Sequence, residues 1–347
     1  MTPVGKNISE LYAEAEHEKV VLWSDPQSKY RGIIAIHSTK LGPAVGGTRY
    51  FNYGCDKVAS IDALRLSRAM SFKNALAGLP FGGGKAVIIG DHTSCNREQI
   101  FRAHGRFVES LKGEFITGED VGTRPADMEV VHKETGYVAG LPGRSGDPAR
   151  MTGLGVFRAM QACAKQRWGS DNLKEKTVAI QGCGATGYYL AEKLHEAGAR
   201  ITVADLDQQR SQKFVREFGA SVVEPDDIFQ VEADIFAPCA LGGVINDHTV
   251  PKLKVEIVVG SANNQLLADA HGDALAERNI LFAPDYVANA GGIINGCQEL
   301  LDWDESTARH KVNETYDRME AILELAKRQD IPPFRAATHL AQKLLNN

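Results

Sequence analysis

The stretch VAIQGCGATGYYLAEKLHEAGARITVADLD, residues 178–207, leaves its backbone few choices. An apolar run reads as a strand, and Gly182, Gly184 and Gly187 follow as G-x-G-x-x-G. A helical pattern comes next, then a second strand that ends in Asp205, 23 residues after the first glycine. The glycine spacing alone is weak, but between a strand and a helix it marks a dinucleotide-binding β-α-β unit. Gly182 permits the tight turn, Gly184 lets backbone approach a pyrophosphate, and Gly187 lets the helix lie close on the sheet. Ala185 and Thr186 stand at the helix N-terminus, where free N–H groups and a partial positive charge suit phosphate. Asp205 can accept hydrogen bonds from both hydroxyls of an adenine ribose. A 2′-phosphate would meet that carboxylate with no arginine before Arg210, so NAD is favoured over NADP. The alternatives are a glycine-rich turn without ligand and, for Asp205, a solvated strand end; Asp207 is a second carboxylate that the pattern does not separate.

The same alternation continues around this unit. TVAIQG, RITVAD, ADIFAP, EIVVGSA and ILFAPD are short apolar strands spaced by helices, which predicts a doubly wound parallel sheet. At 347 residues the chain suits two domains. SGDPARMTG, residues 145–153, is rich in turn formers and is the expected boundary, followed by a helix over LGVFRAMQACAKQ. Ahead of it lie a helix over 8–18, strands at KVVLW and RGIIAIHST, a glycine-punctuated run GPAVGGTRYF, and a helix from Lys57 to Leu76. That helix carries Val58, Ile61, Leu64, Leu66 and Met70 at helical spacing. A helix near 97–111 and EFITGED complete an α/β unit. The tail, 304–345, reads as two helices separated by DIPPF and folding back on the first domain. The expected division is 1–149 plus 329–347 for one domain and 150–328 for the dinucleotide-binding one.

Composition excludes several classes. With a net charge of −5, the chain has no general attraction for nucleic acid or anionic membrane. No apolar stretch approaches a membrane span, and the N-terminus lacks a basic-then-apolar leader. Six scattered cysteines, 55, 95, 163, 183, 239 and 297, form neither metal-ligand spacing nor a disulfide framework. Reduced, mostly buried thiols in a cytoplasmic protein are expected, and the triplets at Asn7 and Asn313 then carry no meaning.

A second glycine cluster resists the obvious reading. In AGLPFGGGKAV, residues 77–87, Lys85 follows three glycines. A P-loop needs Gly five before Gly84, a hydroxyl after the lysine and a helix beyond it. Here Leu79, Ala86 and the strand-like AVIIG stand in those places. Lys73 lies near the end of the preceding helix, and glycines strip side chains from the stretch between. The two ammonium groups are therefore expected to converge on a small cavity, where repulsion and burial lower a lysine pKa and make a general base. Asp120, after a short strand in ITGEDVGT, is placed to exchange protons, or else caps the helix after it.

GPAVGGTRY, SFKNALAGLPFGGGKAVI, TGEDVGT, QGCGATG and APDYVANAGGIINGCQEL together resemble the amino acid dehydrogenase family of the glutamate, leucine and phenylalanine enzymes. The likeness runs from about residue 15 to 340 and is nearest to the leucine and phenylalanine branch, tryptophan-type members included. It implies an α/β substrate domain and a Rossmann domain flanking a cleft, a homo-oligomer built through the first domain, and reversible oxidative deamination to a 2-oxo acid and ammonia. By the same resemblance Lys73 binds the substrate carboxylate beside the Gly46 and Gly47 backbone, Lys85 is the general base, and Asp120 assists proton transfer. Thr152 holds the nicotinamide carboxamide, Asn263 faces the substrate amine and the cofactor, and Asn289 supports that wall or caps the next helix. No metal is required.

Val45, Met70, Gly118, Ile293 and Gly296 would line the side-chain pocket, again by resemblance. None is cationic, which disfavours glutamate. Branched-chain members tend to carry alanine where Gly118 stands and a small branched residue where Gly296 stands. Both departures remove bulk and favour phenylalanine or tryptophan over leucine. The rivals are a branched-chain dehydrogenase, a hydroxy-acid dehydrogenase with a histidine acid pair, and a non-catalytic NAD-binding regulator.

Overall fold

The computed structural model describes residues 10, 12, 16–91, 93 and 95–346. Of the helix expected over 8–18, residues 8, 9, 11 and 13–15 lie outside the described residues; Glu10 and Tyr12 are helical. The chain divides into two compact units. The first comprises Met1–Gly146, Gly296–Trp303 and Ala341–Asn347, and the second Asp147–Asn295 and Asp304–Leu340. The return to the first unit thus comes at 341 and not at 329, with an added excursion at 296–303. The tail stays with the second unit because Val312, Met319, Ile322 and Leu323 bury their side chains and Phe334 joins a core containing Leu275 and Phe282. It contains three helices, Glu305–Asn313, Thr315–Gln329 and Pro333–Asn346, where two were expected.

In the first unit, strands β1 (Lys19–Asp25), β2 (Tyr30–Ser38), β5 (Gly82–Ile89), β3 (Ala44–Val45) and β6 (Phe115–Ile116) lie side by side, and β4 (Thr48–Phe51) also pairs with β5. Strand alternation gives the sheet two faces. Ile34, Ile36, Ala86 and Ile88 pack with Phe101, Phe107 and Val108 of the helix Arg97–Ser110. Ile33, Ala35 and Val87 pack with Ala59, Ala63 and Leu64 of the helix Asp56–Leu76. That second contact is tighter than the sequence suggested. Val58 is exposed and Met70 half-buried, whereas Ala59, Ser60, Ala63, Ser67 and Ser71 are buried. The helix presents small residues because it rests on glycine: a Cβ on Gly83 would stand 2.0 Å from the Ser71 nitrogen.

In the second unit six strands run β12 (Leu281–Phe282), β11 (Ile257–Val258), β10 (Ile235–Pro238), β7 (Thr177–Gln181), β8 (Arg200–Ala204) and β9 (Ser221–Val222). Every pairing is parallel. From β7 the chain winds outward through β8 and β9, then returns to the other side of β7 at β10. That reversal is the topological switch point of a Rossmann sheet, where ligands meet the carboxyl ends of the strands. β9 was not anticipated, since its two residues are both exposed and carry no apolar pattern. All six cysteines are unpaired; Cys163, Cys183 and Cys297 are buried, Cys239 is half-buried and Cys55 and Cys95 are exposed, where mostly buried thiols were expected.

Candidate active site

The glycines before Lys85 are strand, not loop. Gly82, Gly83 and Gly84 open β5, and each meets a neighbour that a side chain would displace. A Cβ on Gly82 would lie 1.9 Å from the Ser38 carbonyl oxygen, and one on Gly84 would lie 2.7 Å from the Phe115 ring. They let a sheet and a helix close around one position, and Lys85 occupies it. By alternation Lys85 shares the helix-facing side of β5 with Gly83 and Val87, and it is only 5% exposed.

Lys85 Nζ donates to Asp120 Oδ2 at 2.9 Å, and Arg49 Nε donates to the same oxygen, also at 2.9 Å. Arg49 Nη1 donates to Asp62 Oδ2 at 2.9 Å, and the Tyr53 hydroxyl donates to that oxygen at 2.7 Å. Two cations and two carboxylates alternate from Lys85 on β5, through Asp120 and Arg49 on β4, to Asp62 on the helix Asp56–Leu76. Burial pushes the Asp120 carboxyl up, but Lys85 and Arg49 together outweigh it and hold the group well below the usual carboxylate range. Burial, then the Asp62 charge, push Tyr53 up, so it remains a phenol that donates.

Lys85 makes its ion pair with a carboxylate shared by Arg49, a cation the sequence did not place there. Lys73 stands half-buried in the last turn of its helix. The next residue, Asn74, donates to the Gly82 carbonyl at 2.6 Å and ties that helix end to the start of β5. Gly46 and Gly47 are needed for close approach. A Cβ on Gly46 would be 1.8 Å from the Gly84 oxygen, and one on Gly47 would be 2.3 Å from the Glu119 oxygen. The Gly46 N–H already donates to Ile116 at 3.1 Å. Val45 is buried. A Cβ on Gly118 would meet only the Ala139 oxygen at 3.4 Å, and one on Gly296 would meet nothing within 4 Å. Gly296 lies one helical turn before Glu299, whose carboxylate accepts the Gly140 N–H at 3.0 Å.

The second unit carries the glycine turn. Gly182 has φ 101°, a left-handed value that favours glycine, and a Cβ there would lie 2.9 Å from Ala240. A Cβ on Gly187 would lie 2.2 Å from the Gly182 oxygen, so the helix Ala185–Glu196 packs directly on the end of β7. A Cβ on Gly184 would meet nothing within 4 Å. That open side is a cradle at the N-terminus of a helix with no side-chain cap and no acidic residue in its first turn, which fits a pyrophosphate. Asp205 Oδ2 accepts the Cys183 N–H at 2.6 Å, and Oδ1 accepts the Asp207 N–H at 2.8 Å. The Asp205 carboxylate is thus fastened to the glycine loop, while Asp207 caps the next helix.

Around Asn263 the backbone is held from three sides. Asn289 Nδ2 donates to Asn263 Oδ1 at 2.9 Å and to the Ser261 carbonyl at 3.1 Å. Asn264, with φ 52°, donates its N–H to Asp285 Oδ2 at 2.5 Å. Buried Gln265 donates to the Gly260 and Ala262 carbonyls. Thr152 Oγ1 donates to the Pro148 carbonyl at 2.9 Å, so toward any further partner it presents an acceptor. A Cβ on Gly292, beside Ile293 in the helix Gly291–Leu300, would stand 3.1 Å from that oxygen.

Residues 17–137 match the profile described as Glu/Leu/Phe/Val dehydrogenase, dimerisation domain, and residues 143–210 and 203–346 match Glutamate/Leucine/Phenylalanine/Valine dehydrogenase. The chain belongs to this family. It is 49% identical to leucine dehydrogenase of Geobacillus stearothermophilus over 94% of its own length and 90% of the relative's. It is 45% identical to L-tryptophan dehydrogenase of Nostoc punctiforme, over 97% and 96% of the two chains. The crystal structure of the Nostoc punctiforme L-tryptophan dehydrogenase superposes with a TM-score of 0.86 at 43% identity, covering 98% of this chain and 99% of that one.

As a member of this family the chain is an NAD-dependent amino acid dehydrogenase, an oxidoreductase acting on a CH–NH2 donor. Its first unit is a dimerisation domain, and its substrate is a small molecule. No helix among the described residues is long and apolar enough to cross a membrane. Sequence reasoning passed over Arg49, Asp62, Tyr53 and Asp285. The signal for Arg49 was present: a lone cation in TRYF, an otherwise apolar and aromatic strand directly after two glycines.

Proposed function

We propose that this enzyme oxidatively deaminates L-amino acids with a large apolar side chain, phenylalanine or tryptophan, reversibly, to the 2-oxo acid and ammonia. The observation that carries the reading is the open space beside Gly296, where a Cβ would meet nothing within 4 Å, with no cation among Val45, Met70, Gly118 and Gly296. A carboxylate side chain would find no partner there. Leucine is the second reading, favoured by the 49% identity to a leucine dehydrogenase.

Lys73 binds the substrate carboxylate. Lys85 takes a proton from the substrate's ammonium group and gives it up to solvent with the help of Asp120, then takes one from the attacking water and hands it to the departing amine. Bound NAD supplies the hydride acceptor, held by Gly182, Gly184, Ala185, Thr186, Gly187 and Asp205. Thr152, its own proton spent on Pro148, accepts from the carboxamide NH2. Asn289 fixes the Asn263 amide so that its NH2 edge is directed at the substrate and cofactor. Holding Cα against the hydride acceptor is chiefly positioning, which is why so many of these groups are tied down. The enzyme works as a homo-oligomer in the cytoplasm.

Steady-state NADH formation with phenylalanine, tryptophan, leucine and glutamate tests the substrate assignment. The expected order of kcat/KM places an aromatic substrate first and glutamate last. A leucine preference of about tenfold or more, worth ~1.4 kcal/mol, overturns the bulky-substrate reading. Absence of NADH formation with every amino acid overturns the mechanism as well.

A further inference from the structure

We propose that Arg49 is a positioning residue for the deamination chemistry: its guanidinium, anchored by Asp62 and Tyr53, holds Asp120 against Lys85. This rests on the reading of Lys85 as general base. The geometry is specific. Lys85 Nζ and Arg49 Nε each lie 2.9 Å from one oxygen, Asp120 Oδ2, so the two cations can be no farther apart than those two lengths laid end to end. Lys85 thus has one cation and one carboxylate as close neighbours. Both are fixed by the fold.

Arg49 can do this because its guanidinium is a planar fork. One edge, Nε, serves Asp120 and another, Nη1, serves Asp62 at 2.9 Å. A lysine at position 49 would carry the charge without spanning both carboxylates. Asp62 is held in turn by the Tyr53 phenol at 2.7 Å. Asp120 is fixed from its backbone, where its N–H donates to Thr123 Oγ1 at 2.8 Å and the Thr123 hydroxyl donates back to its carbonyl at 2.7 Å. Gly47 completes the arrangement: with 2.3 Å to the Glu119 oxygen and 3.0 Å to Asp120 Cβ, any Cβ there would push the Arg49 strand off the Asp120 segment.

The groups of this cluster come from separate elements: Lys85 from β5, Arg49 from β4, Tyr53 after it, Asp62 from the helix Asp56–Leu76, and Asp120 itself. Lys85, Arg49, Asp120 and Asp62 sum to zero charge while Lys85 is protonated. Removing Arg49 leaves an excess negative charge that retains the lysine proton; removing the Asp62 charge does the opposite. The two substitutions must therefore move the acid limb of the pH profile in opposite directions, which loss of packing would not do.

The test is the pH dependence of kcat/KM for NADH formation, with whichever of phenylalanine, tryptophan or leucine the parent enzyme turns over fastest. In R49Q the acid limb moves up by about one pH unit, and kcat falls more than KM rises. In D62N the limb moves down. R49K keeps the limb near the parent position but loses kcat, because it cannot hold both carboxylates. Should R49Q not fold, the D62N and R49K profiles carry the test. An acid limb unmoved in every folded variant, or moved the same way in R49Q and D62N, overturns the proposal. A parent enzyme with no turnover on any of the three amino acids overturns instead the functional reading beneath it.

Discussion

The two units build their candidate sites by opposite means. The second unit uses backbone: a left-handed glycine, an uncapped helix start, and an aspartate fastened to the turn. The first uses buried side-chain charge, with Lys85 and Arg49 sharing one oxygen of Asp120 and Asp62 behind them. A backbone site is built from consecutive residues, so it tolerates variation around it. A buried charge network comes from four separated segments, and removing one member leaves another uncompensated, a large cost in a low-dielectric interior.

The sharpest way to separate the two sites is to break one and assay the other. Lys85→Gln should lower kcat by about 10^2–10^4-fold, while the dissociation constant for NAD, measured by calorimetry without substrate, stays within about twofold. A parallel loss of NAD binding would mean that the sites are not independent. Next in size is Gly187→Val. With a Cβ 2.2 Å from the Gly182 oxygen, it should destabilise the second unit by about 1–3 kcal/mol. Gly184→Ala, pointing into open space, should leave the melting temperature nearly unchanged and weaken NAD instead. Equal melting shifts for the two variants would defeat the assignment of Gly184 to the ligand and Gly187 to packing.

A smaller effect is expected from Asp205→Asn, which keeps the two backbone hydrogen bonds in part but removes the charge. NAD affinity should fall by about fivefold to twentyfold, equivalent to ~1–2 kcal/mol, with no change in the pH profile of kcat/KM. The last prediction concerns the first unit alone. His104 is fully buried between the Tyr30 hydroxyl at 2.8 Å and the Thr48 hydroxyl at 2.7 Å, and burial lowers its pKa to about 3. The unfolded chain protonates near the ordinary histidine value of 6.5, so it binds the extra proton first. Stability from this site is whole above that pH and is lost progressively as pH falls toward 3. Asp120, held low by its cations, adds a further loss below the usual carboxylate range. Urea midpoints between pH 7 and pH 4 should therefore decline, and His104→Gln should flatten the decline. An unchanged slope in that variant would remove His104 from the account.

The sequence by itself determined what depends on neighbours along the chain. The strand–turn–helix–strand unit, the aspartate closing it, the parallel sheet implied by alternating elements, and the placing of Lys85 in a strand all follow from spacing and backbone conformation. Only the tertiary structure decided what Lys85 faces. Arg49, Asp62 and Asp120 lie 36, 23 and 35 residues away from it along the chain, and no local pattern states that they meet. It also decided the use of the three glycines, which read as a loop because glycine usually marks one. Here a helix of small residues and a neighbouring ring take the space that side chains would fill. Local conformation is set over a few residues, whereas burial and Coulomb interaction act through space. The backbone half of this enzyme is therefore written in order along the chain, and its charged half is not.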